Sequence, residues 1–123
     1  MIYTGSFSNI SKYENDNLFI ISIDRKTPKD YTGFVELIGT PTESLLNDYN
    51  SKKISNTDCS KKYIEELNKI KKQLKVWLDN IVKMVGKSNI IFISNNNTKD
   101  FSYEPIFFEY LNKHFNANIK EYT

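Results

Sequence analysis

Leu18-Phe19-Ile20-Ile21-Ser22-Ile23-Asp24-Arg25 is the stretch that decides how this chain folds. Its residues 18–24 are almost continuously apolar, β-branched or aromatic, the pattern of a strand covered on both faces rather than one facing water. Arg25 then stands where a buried strand meets a loop. It is the single arginine of a chain that uses lysine sixteen times and alanine once. That Lys-, Asn- and Ile-rich composition is typical of an AT-rich coding sequence, in which arginine is scarce. A guanidinium at a strand end supplies a planar fork of donors that a lysine ammonium does not.

Outward from this strand, Ile2-Tyr3-Thr4 reads as a short first strand broken by Gly5, and residues 6–11 as a loop or one helical turn. Phe34 to Ile38 fits either a short helix or an extended segment. Thr40-Pro41 opens a predicted helix, with Pro at the first helical position and Glu43 in the first turn. Either Thr57 or Asp58 caps the next. From Tyr63 the apolar residues recur at 63, 67, 70, 74, 77/78, 81 and 85, an amphipathic pattern with no internal Gly or Pro. A continuous helix over 58–85 would be roughly 42 Å long, whereas a compact chain of this size has a radius of gyration of about 14 Å. A kink or break near 68–72 is therefore predicted; the alternative is a heptad-like seam for dimerisation. Gly86 ends the helix. Asn89 to Ser94 is a second buried strand, a polar loop over 95–100 follows, Glu104-Pro105 opens the last helix, and Ile119 to Tyr122 forms a final short strand. Strands alternating with amphipathic helices predict one α/β domain over 1–123, a three-layer sandwich with a small, largely parallel, Rossmann-like sheet.

The chain's 123 residues suffice for one buried core, with 39% hydrophobic and 14% aromatic residues. The net charge of +2 comes from interleaved acids and bases, which argues against nucleic acid and anionic membranes as partners. Lysines 61, 62, 69, 71, 72, 75 and 83 form no single stripe, and Glu65, Glu66 and Asp79 interrupt them, as on a solvated helix exterior. No run reaches the 18 or so apolar residues of a membrane span, and the N-terminus lacks the basic and long apolar regions of a signal peptide. The lone Cys59 admits no internal disulfide or multi-cysteine zinc site and fits a reducing, cytoplasmic setting. With one Cys and one His, neither a transition-metal site nor a cofactor is expected. GxGxxG and GxxxxGK[ST] are both missing.

The order of elements, with Ile2-Tyr3-Thr4-Gly5-Ser6-Phe7, Ser22-Ile23-Asp24-Arg25 before Pro28, Leu45-Leu46-Asn47-Asp48-Tyr49, the helical stretch around Tyr63, and Ile90 to Leu111, resembles the family catalogued as domain of unknown function 488. The resemblance covers nearly the whole chain through short motifs, and it implies an α/β fold. Members of that family often carry Cys-His-Arg before the last helix. Here the matching stretch reads Phe101-Ser102-Tyr103-Glu104, so whatever chemistry that triplet supports loses its thiolate, imidazole and guanidinium.

In an open parallel sheet, ligands bind outside the carboxyl ends of the strands. Three such ends are legible: residues 5–8, residues 24–26, and residues 95–97 with 102–104 beyond. Ser6, Asp24, Arg25, Asn95, Asn96, Ser102, Tyr103 and Glu104 are the candidate ligand-binding residues, offering groups suited to a nucleotide, phosphate or sugar. Arg25 is the expected anchor, gripping a phosphate or carboxylate; the competing reading pairs it with Asp24, Glu104 or a helix carboxyl terminus as structural glue. Glu104 equally serves as a first-turn acid complementing the helix dipole, and His114 as a base near a helix carboxyl end. At roughly 15–18 Å along the helix, His114 cannot partner Ser102. The leading expectation is a non-catalytic domain binding a nucleotide-like or other anionic small molecule. One alternative is a hydrolase or transferase acting on a nucleotide or glycosidic bond, with Glu104 or Asp24 as the carboxylate and Tyr103 orienting substrate. Another is a phage or mobile-element protein that binds and blocks a host (bacterial) protein.

Overall fold

The computed structural model describes residues 1–95 and 101–123. Its elements run β1 (Ile2–Ser6), a 3-10 turn (Phe7–Asn9), α1 (Ile10–Asn15), β2 (Phe19–Ser22), β3 (Phe34–Val35), α2 (Glu43–Asn50), α3 (Asn56–Lys69), α4 (Lys71–Val85), β4 (Ile90–Ser94), α5 (Glu104–Phe115) and β5 (Lys120–Glu121). The five strands form one sheet in the order β3-β2-β4-β1-β5, and every pairing is parallel. This is the predicted α/β sandwich.

β4 lies at the centre, and all five of its residues are buried. Ile90 and Phe92 face a large core shared with α2, α3, α4 and α5, whereas Ile91 and Ile93 face a small one closed by Tyr13 of α1. The sandwich is thus lopsided: four helices on one face, and one short helix with the Tyr31 loop on the other. Burial on both faces explains why the strand reads as an unbroken apolar run.

Several local expectations need correction. Gly5 does not break β1 but lies within it. A Cβ there would fall 2.2 Å from Tyr13 Oη and 2.8 Å from Ile91 Cδ1, so the glycine serves a close helix–sheet approach rather than a turn. The residues after β1 make a 3-10 turn and a six-residue helix rather than a single turn. Thr42, not Thr40-Pro41, starts α2, its hydroxyl accepting from Leu45 N at 3.3 Å. Ser55, not Thr57 or Asp58, caps α3 by accepting from Asp58 N at 3.1 Å. Of the two forms open to the segment after Gly33, a short helix or an extended chain, it takes the extended one and pairs with β2 as the edge strand β3.

The long amphipathic stretch breaks where the length argument required. Ile70, at φ −110° and ψ 19°, separates α3 from α4, and the two helices fold over one face of the sheet. Tyr110 Oη donates to Asn68 Oδ1 at 2.7 Å just before the break. Gly86 terminates α4 at φ 70°, a left-handed conformation that L side chains rarely adopt. No helix among the described residues is long and apolar enough to cross a membrane.

Candidate functional site

The pairing register brings the strand ends together. Ser6 of β1 lies beside Ser94 of β4, and Ser22 of β2 beside Ile93, so Asp24 and Asn95 fall next to one another just past the sheet. Asp24 is buried and accepts from Lys26 N at 3.1 Å through Oδ1 and from Asn95 N at 3.0 Å through Oδ2. Each oxygen therefore holds a backbone N–H, which stitches the β2 exit to the β4 exit. Tyr103, also buried, donates its hydroxyl to Ile23 O at 2.7 Å. Burial raises the Tyr103 hydroxyl well above the usual phenol range, and the neighbouring Glu104 and Asp24 carboxyls push the same way. It is a neutral donor fixed to the sheet.

Arg25 turns away from both acids proposed as its partners. Its Nε and Nη2 donate to Thr40 Oγ1 at 3.3 and 3.2 Å, and Nη2 also donates to Pro41 O at 3.0 Å. Nη1 lies 3.8 Å from Glu43 Oε1, in an ion pair whose two side chains are 38% and 85% exposed and which therefore contributes little. The guanidinium ties the end of β2 to the segment entering α2 and is held in one orientation by doing so.

These residues surround a cleft of about 310 Å³. Arg25 and Lys26 supply its cationic side, Asn47 and Asn50 of α2 supply amides, and Leu46 and Phe101 supply an apolar wall, with Glu104 at one margin. Glu104 heads the first turn of α5. Burial holds its carboxyl above the usual carboxylate range, against the pull of its own backbone N–H; Asp24 adds to the rise, and a bond from Ser102 opposes it.

The eight candidates are therefore not all in one place. Asp24, Arg25, Tyr103 and Glu104 line this cleft; Ser6, Ser102 and again Glu104 line a neighbouring one at the ends of β1 and β4. Asn95 enters through its backbone N–H to Asp24, and Asn96 lies outside the described residues. The contribution of α2 was missed. Asn47 and Asn50 are three residues apart on α2, a spacing that places two amides on one face. Outside the clefts, burial raises the Cys59 thiol, as expected of a core residue. His114 rests on the Tyr110 ring at 4.2 Å between centroids; loss of solvation lowers its pKa, and the Lys71 and Lys113 charges push the same way.

Fold and site together define a parallel α/β protein with a polar, partly cationic cleft at its strand ends. No protein-family model, curated protein or solved structure matches the chain.

Proposed function

We propose that this chain is a small cytoplasmic domain that binds a nucleotide-like or other anionic small molecule in the cleft beside Arg25. The observation that carries the reading is the combination of a preoriented guanidinium, two α2 amides and an apolar wall around one cavity at the carboxyl ends of parallel strands. Arg25 and Lys26 meet the charge, the amides meet polar edges, and Leu46 with Phe101 meets a ring. The proposed kinship with the domain of unknown function 488 family agrees with this anchor, since Arg25 matches the basic residue that ends that family's strand. A single buried thiol suits a reducing compartment.

Isothermal titration with inorganic phosphate and with nucleoside monophosphates tests the proposal. Arg25→Ala and Asn47→Ala are each expected to weaken binding about tenfold, the effect of one lost charge-assisted or well-placed hydrogen bond. Circular dichroism and thermal melts serve as the folding control. Unchanged affinity in both variants, with both folded, rejects the site.

A second reading is supported by Glu104. A carboxyl raised by burial at the margin of a cleft has the character of a general acid, as a hydrolase or transferase acting on a glycosidic or phosphate bond requires. Asp24 suits that role less, because both of its oxygens hold backbone N–H groups. Turnover of nucleosides or nucleotides that survives Glu104→Gln would sink this version.

A further inference from the structure

The neighbouring cleft, about 380 Å³ in volume, lies at the ends of β1 and β4 against the first turn of α5 and the end of β5. Its chemistry differs from that of the Arg25 cleft. Ser6, Ser94 and Ser102 contribute hydroxyls, Glu104 and Glu121 carboxylates, and Phe108 and Tyr122 aromatic rings. No lysine or arginine among the described residues lines it. Ser94 is the most enclosed of the three serines. It is the last residue of the central strand, only 6% exposed, and it lines the cleft. Its hydroxyl opens onto the cleft rather than being sealed in the core, so a ligand hydroxyl can meet it.

We infer that this second cleft is a subsite for a neutral, polyhydroxylated ring, a pentose or hexose. Carboxylates accept strongly from vicinal ring hydroxyls. Serine hydroxyls both donate and accept, which suits a ligand whose own hydroxyls do the same. Aromatic faces cover the C–H surface of such a ring. The described lining of this cleft holds two carboxylates and no cation, whereas the first cleft adds Arg25 and Lys26 to its carboxylates, so the charged part of a ligand fits the first cleft better. Glu104 borders both cavities, and a sugar phosphate or nucleotide could lie with its ring on one side of that carboxyl and its anion on the other. The inference rests on the proposed anion site only for this shared ligand; the sugar contacts are its own.

Amide chemical shifts of the isotope-labelled chain test it, with D-ribose, inorganic phosphate and putrescine as separate probes. Ribose in the millimolar range is expected to shift the amides of Ser6, Ser94, Ser102 and Tyr122 saturably and to leave Thr40 and Asn47 unmoved. Phosphate is expected to do the reverse. Glu121→Gln should weaken the ribose response roughly tenfold, the effect of one lost charge-assisted hydrogen bond, and leave the phosphate response intact. Ser94→Ala should weaken the ribose response in the same sense, so one misfolded variant does not end the test. Ribose that moves none of these amides, or putrescine that moves them where ribose does not, overturns the subsite. Phosphate that leaves Arg25 and Thr40 unmoved while ribose binds overturns the anionic anchor and retains the sugar subsite.

Discussion

At the residue scale, Arg25 and Glu104 carry different kinds of information. Arg25 has both a structural and a binding face, and substitutions separate them. Arg25→Lys keeps the charge but cannot make the forked contacts to Thr40 Oγ1 and Pro41 O. It should lower stability to urea by about 1 kcal/mol, while retaining more phosphate affinity than Arg25→Ala. Glu104 predicts a pH dependence. Its carboxyl titrates above the usual range in the folded protein, so the native state holds its proton over a window in which the unfolded chain has released it. Stability from this group therefore falls as pH rises from the ordinary carboxylate value through the raised one, and the full cost persists above it. Glu104→Gln should remove that part of the slope and stabilise the protein at neutral pH, measured as urea midpoints across a pH series. Gly5 offers a purely steric case. Gly5→Ala places a methyl 2.2 Å from Tyr13 Oη and 2.8 Å from Ile91 Cδ1, and overpacking of this kind costs about 1–3 kcal/mol.

At the scale of elements, the start of α2 is the best-defined junction. Thr42 donates its hydroxyl to Glu66 Oε2 at 2.6 Å and its N–H to Glu66 Oε1 at 3.0 Å, while the same hydroxyl caps α2. Glu66 on α3 thereby clamps the first turn of α2 on the side reached by Arg25 from β2. A double-mutant cycle of Thr42→Ala and Glu66→Ala should show a coupling of about 1 kcal/mol in urea unfolding; additive losses would mean that the clamp contributes nothing as a pair. This junction also marks the limit of what the chain discloses before folding. The buried strands were legible because long β-branched runs leave few alternatives, and the break near Ile70 because 28 residues of helix outrun so small a body. The caps at Thr42 and Ser55 were misplaced by two to three residues, since several Ser, Thr and Asp residues compete there and the backbone path selects among them. The two-residue strand β3 has no periodicity to read; β2 makes it a strand by pairing Phe34 with Ile21 and Val35 with Ser22. The rim position of Arg25, Tyr103 and Glu104 followed from strand ends alone. The division of the rim into two cavities did not, because it depends on which strands neighbour one another.

For the molecule as a whole, the thick helical layer seals its contents. Cys59 is completely buried beside Tyr63 and Leu67 in the large core, and burial also raises its pKa. A thiol reagent should therefore label the chain only as fast as that core opens, and labelling rates should parallel global unfolding across urea concentrations. Fast labelling in water would place Cys59 in a region that opens separately. The strand order has a further consequence, which concerns time rather than space. β1 and β2, though consecutive in the chain, do not pair with each other; both pair with β4, which occupies the slot between them. During synthesis the two early strands leave the ribosome with that slot empty, and β3 and α2 to α4 must follow before Ile90–Ser94 arrives to fill it. The nascent chain thus carries two unpaired apolar edges through most of its translation, a state that invites chaperone capture or aggregation. Folding is committed late, by five residues that close both ladders at once.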